Sequence, residues 1–268
     1  MGAPCDRLEW SIRLDAILSA VKRLHGISTM FAVAAFASSA VAANNGLATK
    51  ATIQLSSALD GFNGQLVLLE DARLTAGLDK LLWGSGGPEM ALDPSDPLSK
   101  ELTSSPLRPA VLRLLDDHSN KVDEVKLERE LARVEAAFLH PGRRTILITT
   151  DLSAGFGSYS GPSTRLVEIN GGKLVTIKAR DARSGELGPV RLAMTLKTAW
   201  KLVPAGGKSS SDSRDILEVE CRPDPDASIF YTTYVRYHWN GGGWVRFSRR
   251  ARGTWEADES FPPLSMFR

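Results

Sequence analysis

The second half of the chain alternates apolar and polar residues, and this pattern restricts its possible folds more than any other feature. From residue 190 to residue 202 the alternate positions are Val190, Leu192, Met194, Leu196, Thr198, Trp200 and Leu202. Successive side chains of a strand point to opposite faces, so this run predicts one long, half-buried strand. Residues 217–221 alternate in the same way, which predicts that Cys221 is an inward-facing core residue.

Two glycine-rich turns in the same half predict hairpins. The segment Asn170-Gly171-Gly172 separates two short apolar runs, and residues 240–243 separate the runs 230–239 and 244–248. Asparagine and glycine tolerate the positive φ angles of tight hairpin turns. The apolar, β-branched run at 145–150 predicts a further strand, and together these strands indicate an antiparallel sheet.

The first half has a helical periodicity instead. Apolar residues recur every three or four positions within 66–83 and within 122–139, and residues 109–115 fit a short helix. Pro141-Gly142 stands where the second long helix would end. Only residues 51–55 resemble a strand. Helices followed by strands predict an α+β fold, with a helical N-terminal half packed on a C-terminal antiparallel sheet of hairpins.

Residues 1–42 are predicted to contain a secretory signal peptide. Lys22 and Arg23 form a basic region, residues 30–37 are apolar or small, and Ala40-Val41-Ala42 is a small-x-small cleavage site. The apolar stretch is about 14 residues long, whereas a membrane span needs about 20. The acidic residues within 1–20 fit a start codon assigned too early. We therefore expect a periplasmic or secreted protein with a mis-assigned upstream extension.

The chain that remains after cleavage is nearly neutral. The full sequence has 33 basic and 31 acidic residues, and residues 1–42 hold four and three of them, which leaves 29 and 28. This balance excludes the strong basic surplus of a nonspecific nucleic-acid binder. Only Cys221 remains, so no internal disulfide is possible. We predict one α+β domain over 43–268, mainly helical over 43–143 and mainly β over 144–268.

The loop at residues 153–163 is one candidate binding site, with three glycines and five hydroxyl side chains. Tyr159 occupies the position of the nucleophile in a G-x-S-x-G elbow, so the loop is not a nucleophile elbow. Ser158, Tyr159 and Ser160 are the predicted ligand contacts. The alternative is a tight turn that uses glycine for its backbone angles.

The C-terminal hairpin is the other candidate, because aromatic and arginine side chains are interleaved along it. The predicted ligand-binding residues here are Trp239, Trp244, Arg246 and Arg249. Flat aromatic groups beside guanidinium groups suit sugars, peptides or anionic polymers. The alternative is that strand alternation sends the aromatic side chains into the core and leaves the arginines solvated.

The sequence carries no catalytic, metal or cofactor pattern. His118, His140 and His238 lack the spacing of a helical zinc site, and His118 and His140 are expected to cap helix C-termini. The candidate carboxylates for glycoside hydrolysis are Glu218, Glu220, Glu256, Asp258 and Glu259. Alternation predicts that Glu218 and Glu220 share an outward, solvated face of one strand. We therefore assign no catalytic residue, no metal ligand and no cofactor.

These patterns together favour an exported bacterial envelope protein that acts as a noncatalytic binding module for a protein or cell-wall partner. They predict no nucleic-acid partner and no membrane span after signal cleavage, and they leave the oligomeric state open. Two alternatives remain: a hydrolase that acts on peptidoglycan or another glycan, and a periplasmic enzyme inhibitor or immunity-type protein.

The cleavage site makes the first testable prediction. Signal peptidase cleaves after small-x-small, so the native protein should begin at Ala43. Mass spectrometry of the protein isolated from its own cells measures this N-terminus. A soluble cytoplasmic product that retains residues upstream of Val21 would contradict both the signal peptide and the proposed start codon.

Overall fold

The computed structural model describes residues 46–74, 104–150, 158–205, 213–224 and 227–268. The predicted signal peptide lies outside the described residues. So do residues 75–83 of the helix predicted within 66–83, and residues 153–157 of the 153–163 loop. The described residues form fifteen strands, one short helix and a final 3-10 turn at Leu264–Phe267.

The elements follow one another from the N-terminal to the C-terminal end. They are β1 (Leu47–Leu55), α1 (Ser57–Asp60), β2 (Gly64–Asp71), β3 (Val111–Asp116), β4 (Lys121–Lys126), β5 (Arg133–His140), β6 (Arg143–Thr150), β7 (Ser163–Asn170), β8 (Lys173–Thr176), β9 (Lys178–Asp181), β10 (Leu187–Pro189), β11 (Arg191–Ala193), β12 (Thr198–Pro204), β13 (Arg214–Asp224), β14 (Ala227–Trp239) and β15 (Trp244–Arg252).

The strands form three sheets. Sheet A has the order β1-β2-β3-β4, sheet B has the order β11-β7-β6-β5 with β8 added beside β7, and sheet C has the order β10-β9-β15-β14-β13-β12. Neighbouring strands pair antiparallel, except that β15 pairs with β9 in parallel. The predicted antiparallel sheet of the second half is therefore present, but it is divided between sheets B and C.

Sheet B packs between the other two sheets. On one face Ile146 and Ile148 of β6 share a core with Leu66 and Leu112 of sheet A. On the opposite face the apolar side chains of sheet B, including Leu166, share a second core with residues of sheet C. Burial of apolar surface on both faces holds the three layers together.

The outer face of sheet C is also covered over β13. Leu217, Val219 and Cys221 of β13 pack against Trp255 and Phe267 from the C-terminal segment. Cys221 is fully buried, as its alternation with apolar neighbours predicts. The C-terminal segment therefore buries the outward-facing side chains of β13.

The prediction of a helical N-terminal half is wrong, because β-strands occupy most of the described residues up to 143. Residues 109–115 belong largely to β3, where Leu112 and Leu114 alternate into the core and are fully buried. Ala110, just before the strand, is fully buried as well. Residues 122–139 divide into β4 and β5. No helix in the described ranges is long and apolar enough to cross a membrane.

The misleading feature was a spacing of four residues. Side chains four apart share a face of a helix, but four is an even number, so they share a face of a strand as well. Val134 and Phe138 of the predicted helix have this spacing, and both lie in β5. Leu127 and Leu131 have it as well, and they are buried in the connection between β4 and β5. Leu66 and Leu68 begin the other predicted helix, yet they lie in β2, a strand whose last six residues are all buried.

The predicted long strand at 190–202 is two strands. Residues 191–193 form β11 at the edge of sheet B, and residues 198–204 form β12 at the edge of sheet C. Between them the Thr195 N–H donates to the Thr198 carbonyl at 2.8 Å, and the Lys197 N–H donates to Thr195 Oγ1 at 3.0 Å. The chain therefore changes sheets within an uninterrupted alternating pattern.

Both predicted hairpin turns are present. Gly171 and Gly172 join β7 to β8 with φ angles of 56° and 74°, in the region that favours glycine. In the turn between β14 and β15, Asn240 Oδ1 accepts the N–H groups of Gly242 and Gly243 at 3.0 Å each. The second turn fixes the register that places Trp239 opposite Trp244.

Candidate functional site

The turn between β5 and β6 forms one end of sheet B and positions a buried histidine. Pro141 and Gly142 make this turn, and Gly142 has a φ of 79°. The register of β5 shifts between Ala137 and His140, so that His140 pairs with Arg143 across the turn. Pro141-Gly142 is thus a hairpin turn, and the expectation that His140 caps a helix is wrong.

His140 is held from several sides. Only 3% of the residue is exposed. Its ring stacks on Trp239 with centroids 4.1 Å apart and meets the edge of Trp244 at 6.1 Å. Its Nε2 lies 2.7 Å from Oε1 of Glu168 on β7, and its Nδ1 lies 3.3 Å from the Pro141 carbonyl oxygen. The imidazole is therefore a fixed link between sheets B and C.

An open cleft lies beside this histidine, and we call it the His140 cleft. Its volume is about 330 Å³, and its lining is His140, Pro141, Gly142, Arg143, Glu168 and Trp239. This volume lies near the lower end of the range for small-ligand sites, roughly 300–1,000 Å³. Arg143 is exposed and forms no ion pair among the described residues. The cleft thus combines an aromatic surface, a carboxylate and an unpaired guanidinium group.

The predicted hairpin residues occupy different environments. Trp239 is half-buried and lines the His140 cleft, whereas Trp244 lies behind it and is 4% exposed. The Nη1 of Arg246 donates to Asp181 Oδ2 at 2.8 Å, so this guanidinium is paired at the edge of sheet C. Arg249 is exposed, and it lies an odd number of residues from Arg246 and therefore on the opposite face.

The predicted loop residues lie elsewhere. Ser158, Tyr159 and Ser160 are exposed, and the Ser158 carbonyl accepts the Lys197 N–H at 3.2 Å. The guanidinium of Arg222 lies 5.9 Å from the centre of the Tyr159 ring. Arg222 is near the C-terminal end of β13, and the β14–β15 turn is beside the N-terminal end of that strand. The structure therefore does not bring the loop and the hairpin turn together.

Three residues that line the cleft were not among the predicted site residues: His140, Arg143 and Glu168. A signal was available for the first two, because they flank Pro141-Gly142 and a hairpin turn places flanking residues opposite each other. Glu168 has no comparable signal. It faces the cleft because strand alternation puts it on the same side of sheet B as Leu166.

Glu218 is half-buried between sheets B and C, so the expectation that it is solvated is wrong. It pairs with Val235 and Trp200 on the face of sheet C that packs against sheet B. Burial raises the pKa of Glu218 to about 7, with a further rise from the charge of Glu220 and an opposing hydrogen bond from the Ala193 N–H. The Tyr237 hydroxyl donates to Glu218 Oε2 at 3.4 Å.

One exposed turn has the residue types of a cation site. Ligand atoms of Asp116, Asp117 and His118, between β3 and β4, lie within 4.8 Å of one another. Asp116 Oδ1 already accepts the N–H groups of His118 and Asn120 at 2.9 and 2.7 Å, which explains its position as a turn residue. No second feature of this turn points to a bound ion.

No protein-family model matches the chain, and neither a curated protein nor a solved structure is significantly similar to it. Functional assignment therefore depends on the geometry of its own residues.

The raised pKa of Glu218 predicts how stability varies with pH. The folded protein holds this proton up to about pH 7, whereas the unfolded chain loses it near the ordinary glutamate pKa of 4.5. The free energy of unfolding should therefore fall as pH rises from about 5 to 8, by up to about 3 kcal/mol from this group. Glu218→Gln should remove this part of the fall in the free energy of unfolding. Urea unfolding at about pH 5 and at about pH 8 measures the difference.

Glu220→Gln is the matched control, because it removes the same charge two residues away on the same strand. It should leave most of the decline in place. Equal pH dependence in the wild type and in Glu218→Gln would show that Glu218 ionises without cost in the folded protein.

Proposed function

We propose that this chain is an exported bacterial envelope protein that binds a cell-wall glycan without catalysing a reaction, and that the His140 cleft holds the glycan. The leader pattern within residues 1–42 supports export. Export places the protein next to the polymers of the envelope.

The observation that carries the proposal is the combination of groups in one cleft. Trp239 offers an aromatic surface, and Arg143 offers a guanidinium group with no ion pair among the described residues. Glu168 accepts one hydrogen bond, from His140, on Oε1. Sugar rings pack their C–H faces on aromatic groups and pair their hydroxyl or carboxylate groups with arginine and carboxylate side chains.

The rigidity of the site also suits binding. The His140 ring is fixed between Trp239 and Glu168, so the groups around the cleft are ordered before a ligand arrives. Preorganised groups lose little conformational entropy when they bind, which raises affinity. The protein would therefore recognise a repeating surface polymer with few contacts per site.

The groups in the cleft favour binding over hydrolysis. Hydrolysis of a glycosidic bond ordinarily uses two carboxyl groups that flank the bond. Glu168 is the one carboxylate among the residues that line the His140 cleft, and no serine, threonine or cysteine is among them. Glu218, the carboxyl group with the raised pKa, is not part of that lining.

Arg143→Ala tests the proposal, because Arg143 is exposed and its loss should not disturb a core. The mature protein is mixed with purified, protease-treated peptidoglycan sacculi, and the bound fraction is measured by co-sedimentation. Loss of an arginine anchor commonly costs more than 1 kcal/mol, so affinity should fall at least about fivefold. Arg183→Ala is the matched control, since Arg183 is exposed in the β9–β10 turn, and it should bind like the wild type.

The outcomes separate the candidate functions. Equal binding by the two variants, or no binding by the wild type, would contradict the proposed cleft. Binding to untreated sacculi, together with none to the protease-treated sacculi, would indicate a protein partner. Release of soluble reducing ends from the sacculi would indicate a hydrolase. Trp244 is unsuitable as a probe because it is buried.

A further inference from the structure

Two arginines face each other at the end of sheet B that is opposite the His140 cleft. Arg165 of β7 pairs directly with Arg191 of the edge strand β11. Like charges in directly opposite positions of neighbouring strands destabilise a sheet. Sheet B has this arrangement on the face that packs against sheet A, because Arg165 also pairs with Ile148 of the A-facing core.

Arg165 has donors that nothing accepts. Its Nε and Nη2 atoms are buried and have no hydrogen-bond partner among the described residues. Buried polar atoms are nearly always hydrogen-bonded, so unpaired donors on a charged group call for a specific explanation. Burial lowers the pKa of Arg165, the charge of Glu128 partly opposes this effect, and the charge of Arg191 adds to it.

A small cavity lies beside these arginines, and we call it the arginine pocket. Its volume is about 100 Å³, and its lining is Glu128, Thr150, Ser163, Arg165 and Arg191. Each water molecule occupies about 30 Å³, so the pocket has room for about three waters or one small ion.

The strand register directs hydroxyl groups to the same place. Ser163 lies two residues before Arg165 and therefore on the same face of β7. Thr150 pairs with Ser163 from the neighbouring strand β6. The arginine pocket thus has two guanidinium groups and two hydroxyls against one carboxylate, Glu128, and its side chains have a formal net charge of +1.

We propose that the arginine pocket binds a small tetrahedral oxyanion, inorganic phosphate or a phosphate ester group. The guanidinium forks of two arginines match the oxygen edges of such an anion, and hydroxyls complete its hydrogen bonds. A bound anion would also neutralise the repulsion between Arg165 and Arg191. This site is separate from the His140 cleft, because the two lie at opposite ends and on opposite faces of sheet B.

Phosphate binding by the mature protein tests the proposal by isothermal titration calorimetry and by thermal unfolding, with sodium chloride at matched ionic strength as the reference. Phosphate should bind at one site per chain and raise the unfolding temperature more than chloride does. Arg191→Gln should weaken binding by about tenfold or more, because a hydrogen bond to a charged group is lost. Arg183→Gln, which removes an exposed arginine outside the pocket, should bind phosphate like the wild type.

A second readout distinguishes a ligand site from a purely structural pair. Without phosphate and at low salt, Arg191→Gln should be at least as stable as the wild type, because the repulsion is gone. Glycerol 3-phosphate separates the two sources: binding as tight as that of inorganic phosphate would indicate a phosphate ester, and much weaker binding would indicate the free ion. Equal effects of phosphate and chloride, or equal phosphate binding by the wild type and Arg191→Gln, would overturn the proposal.

Discussion

Burial of sheet B on both faces is the constraint on which the rest of the structure depends. Ile146, Leu147 and Ile148 are consecutive residues of β6, and each is at most 5% exposed. Consecutive residues of a strand point to opposite faces, so this run is stable only where apolar surface covers both sides. Sheet A supplies one cover and sheet C the other. The chain passes from sheet B to sheet C between Ala193 and Thr198, which connects the middle layer to one of its two covers.

The layered arrangement also determines where side chains are free to meet a ligand. The middle of β6 and β7 is buried on both faces, and the two candidate sites lie at the ends of these strands. His140 and Glu168 occupy one end on the face toward sheet C, and Arg165 occupies the other end on the face toward sheet A. The aromatic side chains of the β14–β15 hairpin contribute Trp239 to the first of these sites. The proposed glycan site and the proposed oxyanion site are thus on separate surfaces.

The sequence predicts local features of this fold well and long-range features poorly. The glycine turns and the alternation around Cys221 identify strands, because they depend on backbone angles and on period two alone. The helix expected within 122–139 fails, because a spacing of four fits both a helix and a strand. Residues 66–71 of the other expected helix form a strand as well. His140 and Glu168 are 28 residues apart and meet at 2.7 Å only through the pairing of β5, β6 and β7. The order of the strands in the sheet determines that these two residues meet, and their spacing in the sequence does not predict it.

Hydrogen exchange of the backbone amides, followed by mass spectrometry, tests the central place of sheet B most directly. Amides in the middle layer should open only when the whole protein unfolds, so Arg143–Thr150 should exchange most slowly and the edge strand Leu187–Pro189 much faster. Exchange of Arg143–Thr150 as fast as that of Leu187–Pro189 would contradict the three-layer account.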